Sequence, residues 1–260
     1  MNVKEKIVVV TGAASGIGRA LVKRFQAEGA KHVVSVDIDR DGALVVAKEY
    51  GGTAMTADVA RDEDIRTVVE STEADIGPID LFCSNAGIGT GMAPSSPDDE
   101  WLASWNVNVM SHVYAARHLV PRMIERGGGY FLNTASAAGL LNQIGIAAYG
   151  VTKHAAVGFG EWLALTHAHE GIKVSMLCPQ AVRTAMTSGG EDAAWTRAAS
   201  VDGMMEPDEL AESVVEGLAS ESFLILPHPE VLAYVRRKTA DYDRWIGGMN
   251  RLHRRLHGDV

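Results

Sequence analysis

The sequence predicts an α/β fold, a single doubly wound domain built on a parallel sheet. Three observations predict it. Short, continuously apolar and largely β-branched runs recur along the whole chain. Between them lie longer segments with apolar residues three and four apart, the period of a helix with one buried face. No linker of Pro, Ser and Gly composition divides the 260 residues, and no internal repeat or low-complexity tract interrupts them. Strands apolar on both faces belong in a sheet covered by helices on both sides, which successive strand-helix-strand units build.

The elements follow in order. IVVV (7–10) is the first strand, and TGAASGIGRA turns it into a helix whose inner face carries Ala20, Leu21 and Phe25. HVVSV (32–36), TAMTA (53–57) and IDLFC (79–83) supply the next three strands. A helix with Val113, Ala116 and Val120 inward leads to GYFLNT (129–134), and IKVSMLC (172–178) and FLIL (223–226) follow. Pro207 opens a helix at a position where its missing N–H costs nothing. Two longer irregular pieces, GIGTGMAPSSPDD (87–99) and about 184–206, follow strand carboxyl ends, where open α/β sheets bind ligands. They are expected as walls of an active site, the second as its lid.

The domain is expected to span 1–229, with 230–260 as a basic helical extension of it. That extension holds seven Lys/Arg against four Asp/Glu, a net +3 in a chain of formal net charge −9. The contrast suggests a separate helix or tail that packs on, or exchanges with, an acidic body. The overall negative charge argues against nucleic-acid and anionic-membrane partners. Cys83 and Cys178 lie in apolar runs, far from metal or disulfide spacing, so neither a zinc site nor a disulfide framework is expected. A reducing, cytoplasmic setting is the expectation. The apolar run in MNVKEKIVVV is too short for a signal-peptide core, and no stretch approaches the length of a membrane span.

Glycines 12, 16 and 18 sit where the first strand meets its helix. Glycine there permits a tight turn and lets the backbone approach a pyrophosphate, whose charge the helix N-terminus stabilises. The spacing departs from G-x-G-x-x-G, so its context must carry the argument. The second strand ends in Asp37, 19 residues after Gly18, near the separation at which a carboxylate meets the adenosine ribose hydroxyls. Such a carboxylate repels a 2'-phosphate, which points to NAD, although Arg19 and Arg40 stand nearby.

TGAASGIG, Asp37, Asp58-Val59 after the third strand, SNAG (84–87) after the fourth, Asn108 in WNVNV, Ser136 in NTASAAG and YGVTK (149–153) together resemble the short-chain dehydrogenase/reductase family in its compact form. The resemblance covers nearly the whole chain. It implies a Rossmann-type domain with a seven-stranded parallel sheet, assembled as a homotetramer or homodimer, and NAD as cofactor. It places Gly12, Ser15, Gly16, Ile17 and Gly18 around the pyrophosphate, and Asp58 and Val59 at the adenine. Asn85, Ala86 and Gly87 support cofactor and sheet, while Pro179, Val182 and Thr184 line the nicotinamide end, Thr184 reaching its amide. Two departures are Ser84, where the family commonly has Asn, and Gln180, where Gly usually follows Pro179; Gln180 either shapes substrate binding or merely alters a turn.

Tyr149 and Lys153 are i and i+4 on a predicted helix, hence on one face. An ammonium roughly 6 Å from a phenol, at an effective dielectric of about 20, stabilises the phenolate by about 2.8 kcal/mol, near two pKa units. Tyr149 can then exchange a proton, Ser136 can hold the substrate oxygen, and the cofactor takes or gives hydride. The resemblance adds that Lys153 also binds the nicotinamide ribose and that Asn108 organises a water linking Lys153 to solvent. A second Tyr-x-x-x-Lys, YVRRK (234–238), lacks the upstream Ser, having Glu221 at that offset. It is expected to pack, with Tyr234, Val235 and Trp245 as the apolar stripe of one terminal helix and Arg236, Arg237 and Lys238 on its other face. The nine histidines suggest no metal site: His167 and His169 read as surface residues, and His253 and His257 form a pair with no further ligand around it.

Leu140, Leu141, Ile144, Met186, Trp195, Met204 and Met205 are expected to face the substrate, an apolar lining. It suits a moderately hydrophobic secondary alcohol or ketone, with steroid-like and terpenoid ones among the candidates. The alternatives are an NADP-dependent ketone reductase and a non-catalytic, nucleotide-sensing interaction protein on the same scaffold.

Overall fold

Val9, Phe82, Phe131 and Val174 stand in register across four neighbouring strands and all face one layer of the molecule. One residue further along, Val10, Cys83 and Leu132 face the other layer. This two-residue alternation within continuously apolar strands is what buries both faces of the sheet. The computed structural model describes residues 1–188 and 194–258. Of the expected lid, 189–193 lie outside the described residues, as do 259–260 of the expected extension.

The chain begins with β1 (Ile7–Thr11), α1 (Gly16–Ala27), β2 (His32–Asp37), α2 (Arg40–Tyr50), β3 (Thr53–Thr56) and α3 (Asp62–Asp75). Next come β4 (Leu81–Ser84), α4 (Asp98–Trp105), a π-helical turn at Asn106–Met110, α5 (Ser111–Glu125), β5 (Gly129–Thr134), α6 (Ala138–Leu141) and α7 (Ala147–His167). The last part holds β6 (Ile172–Leu177), α8 (Ala185–Ser188), α9 (Ala194–Ala199), α10 (Pro207–Ala219), β7 (Leu224–Ile225), α11 (Glu230–Ala240) and α12 (Tyr242–His257). All seven strands are parallel, in the order β3-β2-β1-β4-β5-β6-β7. Phe25 of α1 and Leu210 and Val214 of α10 cover one face, while Ile65 of α3, Leu119 of α5 and Leu163 of α7 cover the other. The order reverses between β1 and β4, and a crevice opens there beyond the strand carboxyl ends.

Strand ends depart from the sequence expectation for local reasons. Ile79 and Asp80 precede β4 instead of belonging to it, because the Asp80 carboxylate accepts from the Ile7 N–H and from Lys6 Nζ, both at 2.9 Å. FLIL contributes only Leu224 and Ile225 to the edge of the sheet.

The C-terminal segment differs more. Two helices replace the single one expected, because Asp241 adopts an extended conformation (φ −158°, ψ 95°) and its carboxylate caps α12 by accepting from the Arg244 N–H at 3.0 Å. Tyr234 and Val235 of α11 and Trp245 of α12 pack around Ala137, Leu141 and Val231. Lys238 does not sit on a solvated face: it is buried, and its ammonium donates to the Leu140 carbonyl at 2.7 Å. α11 packs on α6 and α12 on α9, so the extension is part of the body. Among the described residues no helix is long and apolar enough to cross a membrane.

Candidate active site

The crevice at the strand-order reversal is one end of a cavity of about 780 Å³. Its floor there is glycine. Gly12 has φ +67°, and a Cβ on it would stand 2.9 Å from the Ala86 Cα. A Cβ on Gly18 would stand 2.0 Å from the Gly12 carbonyl oxygen, so α1 can start against its own strand only without a side chain at that position. Ser15 precedes α1, makes no capping hydrogen bond with its side chain, and no acidic residue occupies the first turn. The first N–H groups of α1 therefore remain available to an anion, beside Gly16 and Ile17 and facing Thr184, whose methyl group lies across from Gly16.

Asp37 closes one side of this end. Its carboxylate accepts from the Ala14 N–H at 2.9 Å and the Asp39 N–H at 3.0 Å, which fixes its direction and leaves lone pairs toward the cavity it lines. Asp58 and Val59 line the cavity beyond it, with Asp58 held by its own turn to Ala60 N–H at 3.0 Å. Arg19 is drawn away, paired with Glu49 at 2.7 Å and stacked on the Tyr50 ring. Thr11 ties the floor together: its hydroxyl accepts from the N–H groups of Asn85 and Ala86, and its carbonyl accepts from the Asn85 side chain. The Asn85 side-chain Oδ1 in turn accepts from the Thr134 hydroxyl, joining β1, β4 and β5. Uncapped donors, a glycine floor and an oriented carboxylate fit a dinucleotide.

Ser136, Tyr149 and Lys153 converge further along the same cavity. Strand β5 ends two residues before Ser136, and α7 presents Tyr149 and Lys153 from one face. The Ser136 hydroxyl donates to the Pro179 carbonyl at 3.3 Å and accepts from the Ala138 N–H at 3.1 Å. Lys153 Nζ lies 5.6 Å from the centre of the Tyr149 ring, close to the distance assumed from sequence. The electrostatic outcome is different. Burial pushes the Tyr149 phenol above its ordinary value, with the Ser136 hydroxyl pulling the other way, and burial lowers the Lys153 ammonium to about 8. Desolvation thus governs both groups in the protein by itself.

Asn108 lies in the π-helical turn, a geometry frequent at functional sites. Its amide is fully engaged: Oδ1 accepts from the Ile88 N–H at 3.0 Å, and Nδ2 donates to the Ile88 carbonyl and the Thr152 hydroxyl at 2.9 and 3.1 Å. A Cβ on Gly87 would come within 3.3 Å of both Asn108 Oδ1 and Lys153 Nζ. Ser84 also has a structural partner, the ring of buried His112 at 2.7 Å, held at a pKa of about 3 and therefore neutral. Of the second Tyr-x-x-x-Lys only the tyrosine reaches the same cavity, away from Tyr149. Tyr234 lines the wall and donates to Asp202 at 2.9 Å, but among the described residues no Ser136-like hydroxyl accompanies it.

The substrate end is only partly the one expected. Leu141, Met186 and Trp195 line it, whereas Leu140, Ile144, Met204 and Met205 do not. Met205 instead pairs with Val182 through a short bridge between backbones. In their place stand Tyr234, Arg237, Trp245, Met249 and Leu252 of α11 and α12. The period of α12 brings Trp245, Met249 and Leu252 to one face, a signal present in the sequence but attributable to core packing as readily as to a pocket. Gln180 Nε2 donates to Asp202 at 3.0 Å, and its N–H donates to His228. Gln180, Asp202 and Tyr234 thereby link the loop after β6 to α11. Among the described residues no cluster of His, Cys, Asp and Glu could hold a metal ion.

Fold and cavity together define a nucleotide-binding oxidoreductase of the Rossmann type. The chain belongs to the short chain dehydrogenase family, whose model matches residues 6–194. It is 34% identical over 255 residues to 1-deoxy-11-beta-hydroxypentalenate dehydrogenase of Streptomyces exfoliatus, covering 95% of this chain and 91% of that one. With cyclohexanol dehydrogenase of an Acinetobacter species (strain SE19) it shares 30% identity over 228 residues, covering 85% and 90%. A crystal structure of a short chain dehydrogenase/reductase from Burkholderia phymatum in complex with NAD superposes with a TM-score of 0.86 at 26% identity, covering 94% of this chain and 96% of that one.

Proposed function

We propose that the protein is an NAD-dependent oxidoreductase that interconverts a moderately hydrophobic secondary alcohol and its ketone, with Tyr149 as general acid and base. One observation carries this reading: Ser136, Tyr149 and Lys153 converge between a glycine-floored cradle and an apolar wall in one cavity. Relatives that are named as dehydrogenases of cyclohexanol and of 1-deoxy-11-beta-hydroxypentalenate support the reaction type.

Gly12, Ser15, Gly16, Ile17 and Gly18 would hold the pyrophosphate, Asp37 the adenosine ribose, and Asp58 and Val59 the adenine. Asn85, Ala86, Gly87, Pro179, Val182 and Thr184 would surround the nicotinamide end. When bound, the cofactor supplies the acceptor or donor of hydride. The Ser136 hydroxyl orients the substrate oxygen, and the Tyr149 phenol takes its proton in oxidation or returns one in reduction. Lys153 holds its charge beside the phenol, and an added positive charge in the bound state would offset the desolvation that now raises Tyr149. Asn108 braces the turn at Ile88 and Thr152 next to Lys153. NAD over NADP is supported by the inward Asp37 carboxylate and by the engagement of Arg19 with Glu49 and Tyr50. The same reading carries a cytoplasmic homotetramer or homodimer, which light scattering would check.

The test is a fluorescence titration with NADH and NADPH in parallel, followed by oxidation of cyclohexanol with NAD. Tight NADH and weak NADPH binding is expected. The reverse would turn the reading to an NADP-dependent reductase, and binding of neither would remove the enzyme reading.

A further inference from the structure

We propose that Arg237 recognises a carboxylate on the substrate, so that the alcohols and ketones this enzyme handles are hydrophobic hydroxy acids and oxo acids. The inference deepens the proposed alcohol and ketone chemistry of the same cavity and rests on it.

Away from the glycine cradle the wall is apolar, formed by Leu141, Ile146, Trp195, Trp245, Met249 and Leu252. The amide and hydroxyl donors of Gln143, Gln180 and Tyr234 beside it are engaged, while the buried Gln180 Oε1 is an acceptor and offers nothing to an anion. Gln143 Nε2 donates to the carbonyls of Ile144 and Trp195 at 3.3 and 3.0 Å. Asn142 Oδ1 accepts from the Gln143 N–H at 2.8 Å. Gln180 and the Tyr234 hydroxyl both donate to Asp202, at 3.0 and 2.9 Å. Arg237 is the one charged side chain of this wall among the described residues, and it has no hydrogen bond or ion pair there, its guanidinium resting 5.7 Å from the centre of the Tyr234 ring.

Charge is placed to match. The other charged side chains that line the cavity are Asp37 and Asp58 at the adenosine end and Lys153 beside Tyr149. Asp202, the carboxylate nearest to Tyr234, is outside the lining, and each of its oxygens already accepts a donor. Arg236 adds positive charge next in sequence, while the Lys238 ammonium is occupied by the Leu140 carbonyl. A guanidinium presents a planar fork that fits a carboxylate with two parallel hydrogen bonds, and it stacks readily on an aromatic face. Here the face is fixed, because Asp202 holds the Tyr234 hydroxyl. Arg237 is exposed at the rim of this otherwise apolar wall, and with no partner of its own beyond the Tyr234 ring it offers a carboxylate a guanidinium on an aromatic platform. A substrate bound there would reach Tyr149 with its carbinol and Arg237 with its acid group.

The test measures binding, so it does not depend on hydride transfer. Decanoate and decanol are titrated into the full-length protein, with and without NADH, following intrinsic tryptophan fluorescence, to which Trp195 and Trp245 of the wall contribute. The ratio of decanoate to decanol affinity is expected to fall about tenfold in Arg237→Gln and to be partly retained in Arg237→Lys. In the wild type, added salt should weaken decanoate and leave decanol unchanged. A ratio unaltered by Arg237→Gln, or decanoate binding in the wild type that is indifferent to salt, overturns the proposal. Failure of the alcohol dehydrogenase reading would look different: the carboxylate preference would stand, with no oxidation of any secondary alcohol.

Discussion

Lys153 Nζ donates to the carbonyl of Thr134 at 3.0 Å, tying the middle of α7 to the last residue of β5. The ammonium is buried and its pKa is lowered to about 8. The unfolded chain, with an ordinary lysine near 10.4, binds the extra proton between those values. Stability contributed by this group is thus lowest below pH 8 and recovers as pH rises toward about 10.4. Lys153→Met should raise the stability of the cofactor-free protein by about 2 kcal/mol at pH 7, after allowing for the lost bond to Thr134. Thermal melts across pH 7 to 10 would show the gain shrinking with pH, and turnover should be abolished.

Tyr149→Phe should abolish oxidation of a secondary alcohol while leaving NADH binding within about twofold. Tyr234→Phe should keep kcat and raise KM, because it breaks the bond to Asp202 but moves no proton of the reaction. Steady-state kinetics of both variants decide between the two tyrosines; equal loss of kcat would sink the assignment of Tyr149.

Asp37→Ala should weaken NADH by about tenfold and strengthen NADPH, since on the proposed reading its carboxylate would accept from the ribose hydroxyls and repel a 2'-phosphate. Parallel titrations of the variant with both nucleotides read this directly. An unchanged preference would mean that Arg40 or another group sets cofactor choice.

Gln180→Ala should lower stability by about 1 kcal/mol and raise KM with kcat nearly unchanged. Its amide holds Asp202, which in turn holds Tyr234, so the loop after β6 and helix α11 lose a shared anchor. Proteolysis of the segment around Asp202 should accelerate in step with KM.

Gly18→Ala should prevent folding or destabilise by about 3 kcal/mol or more, because its Cβ would lie 2.0 Å from a backbone carbonyl oxygen that cannot swing aside. Circular dichroism melts would measure it.

The strand runs, the helices between them and the motif order were legible in the sequence because local periodicity and turn chemistry act over a few residues. IVVV followed by TGAASGIG already specifies a strand, a turn only glycine can make and a helix start, and YGVTK puts Tyr149 and Lys153 on one helical face whatever surrounds them. Other features arise only when distant segments meet. The ionisation of Tyr149 and Lys153 was misjudged from sequence because desolvation depends on what packs over them, and spacing carries no information about that. Gln180 was read as either a turn residue or a pocket residue; its partner Asp202 lies 22 positions away and is chosen by how the chain after β6 folds back. Trp245 packs as its place in the apolar stripe predicts, but that it and Arg237 also line the cavity could not be read, because amphipathic period reports which face is covered and not by what. The sequence by itself determined the parallel sheet, its glycine crevice and the catalytic candidates; the tertiary structure decided their electrostatics and built the substrate wall from the C-terminal helices, since burial and charge balance are properties of the assembled chain.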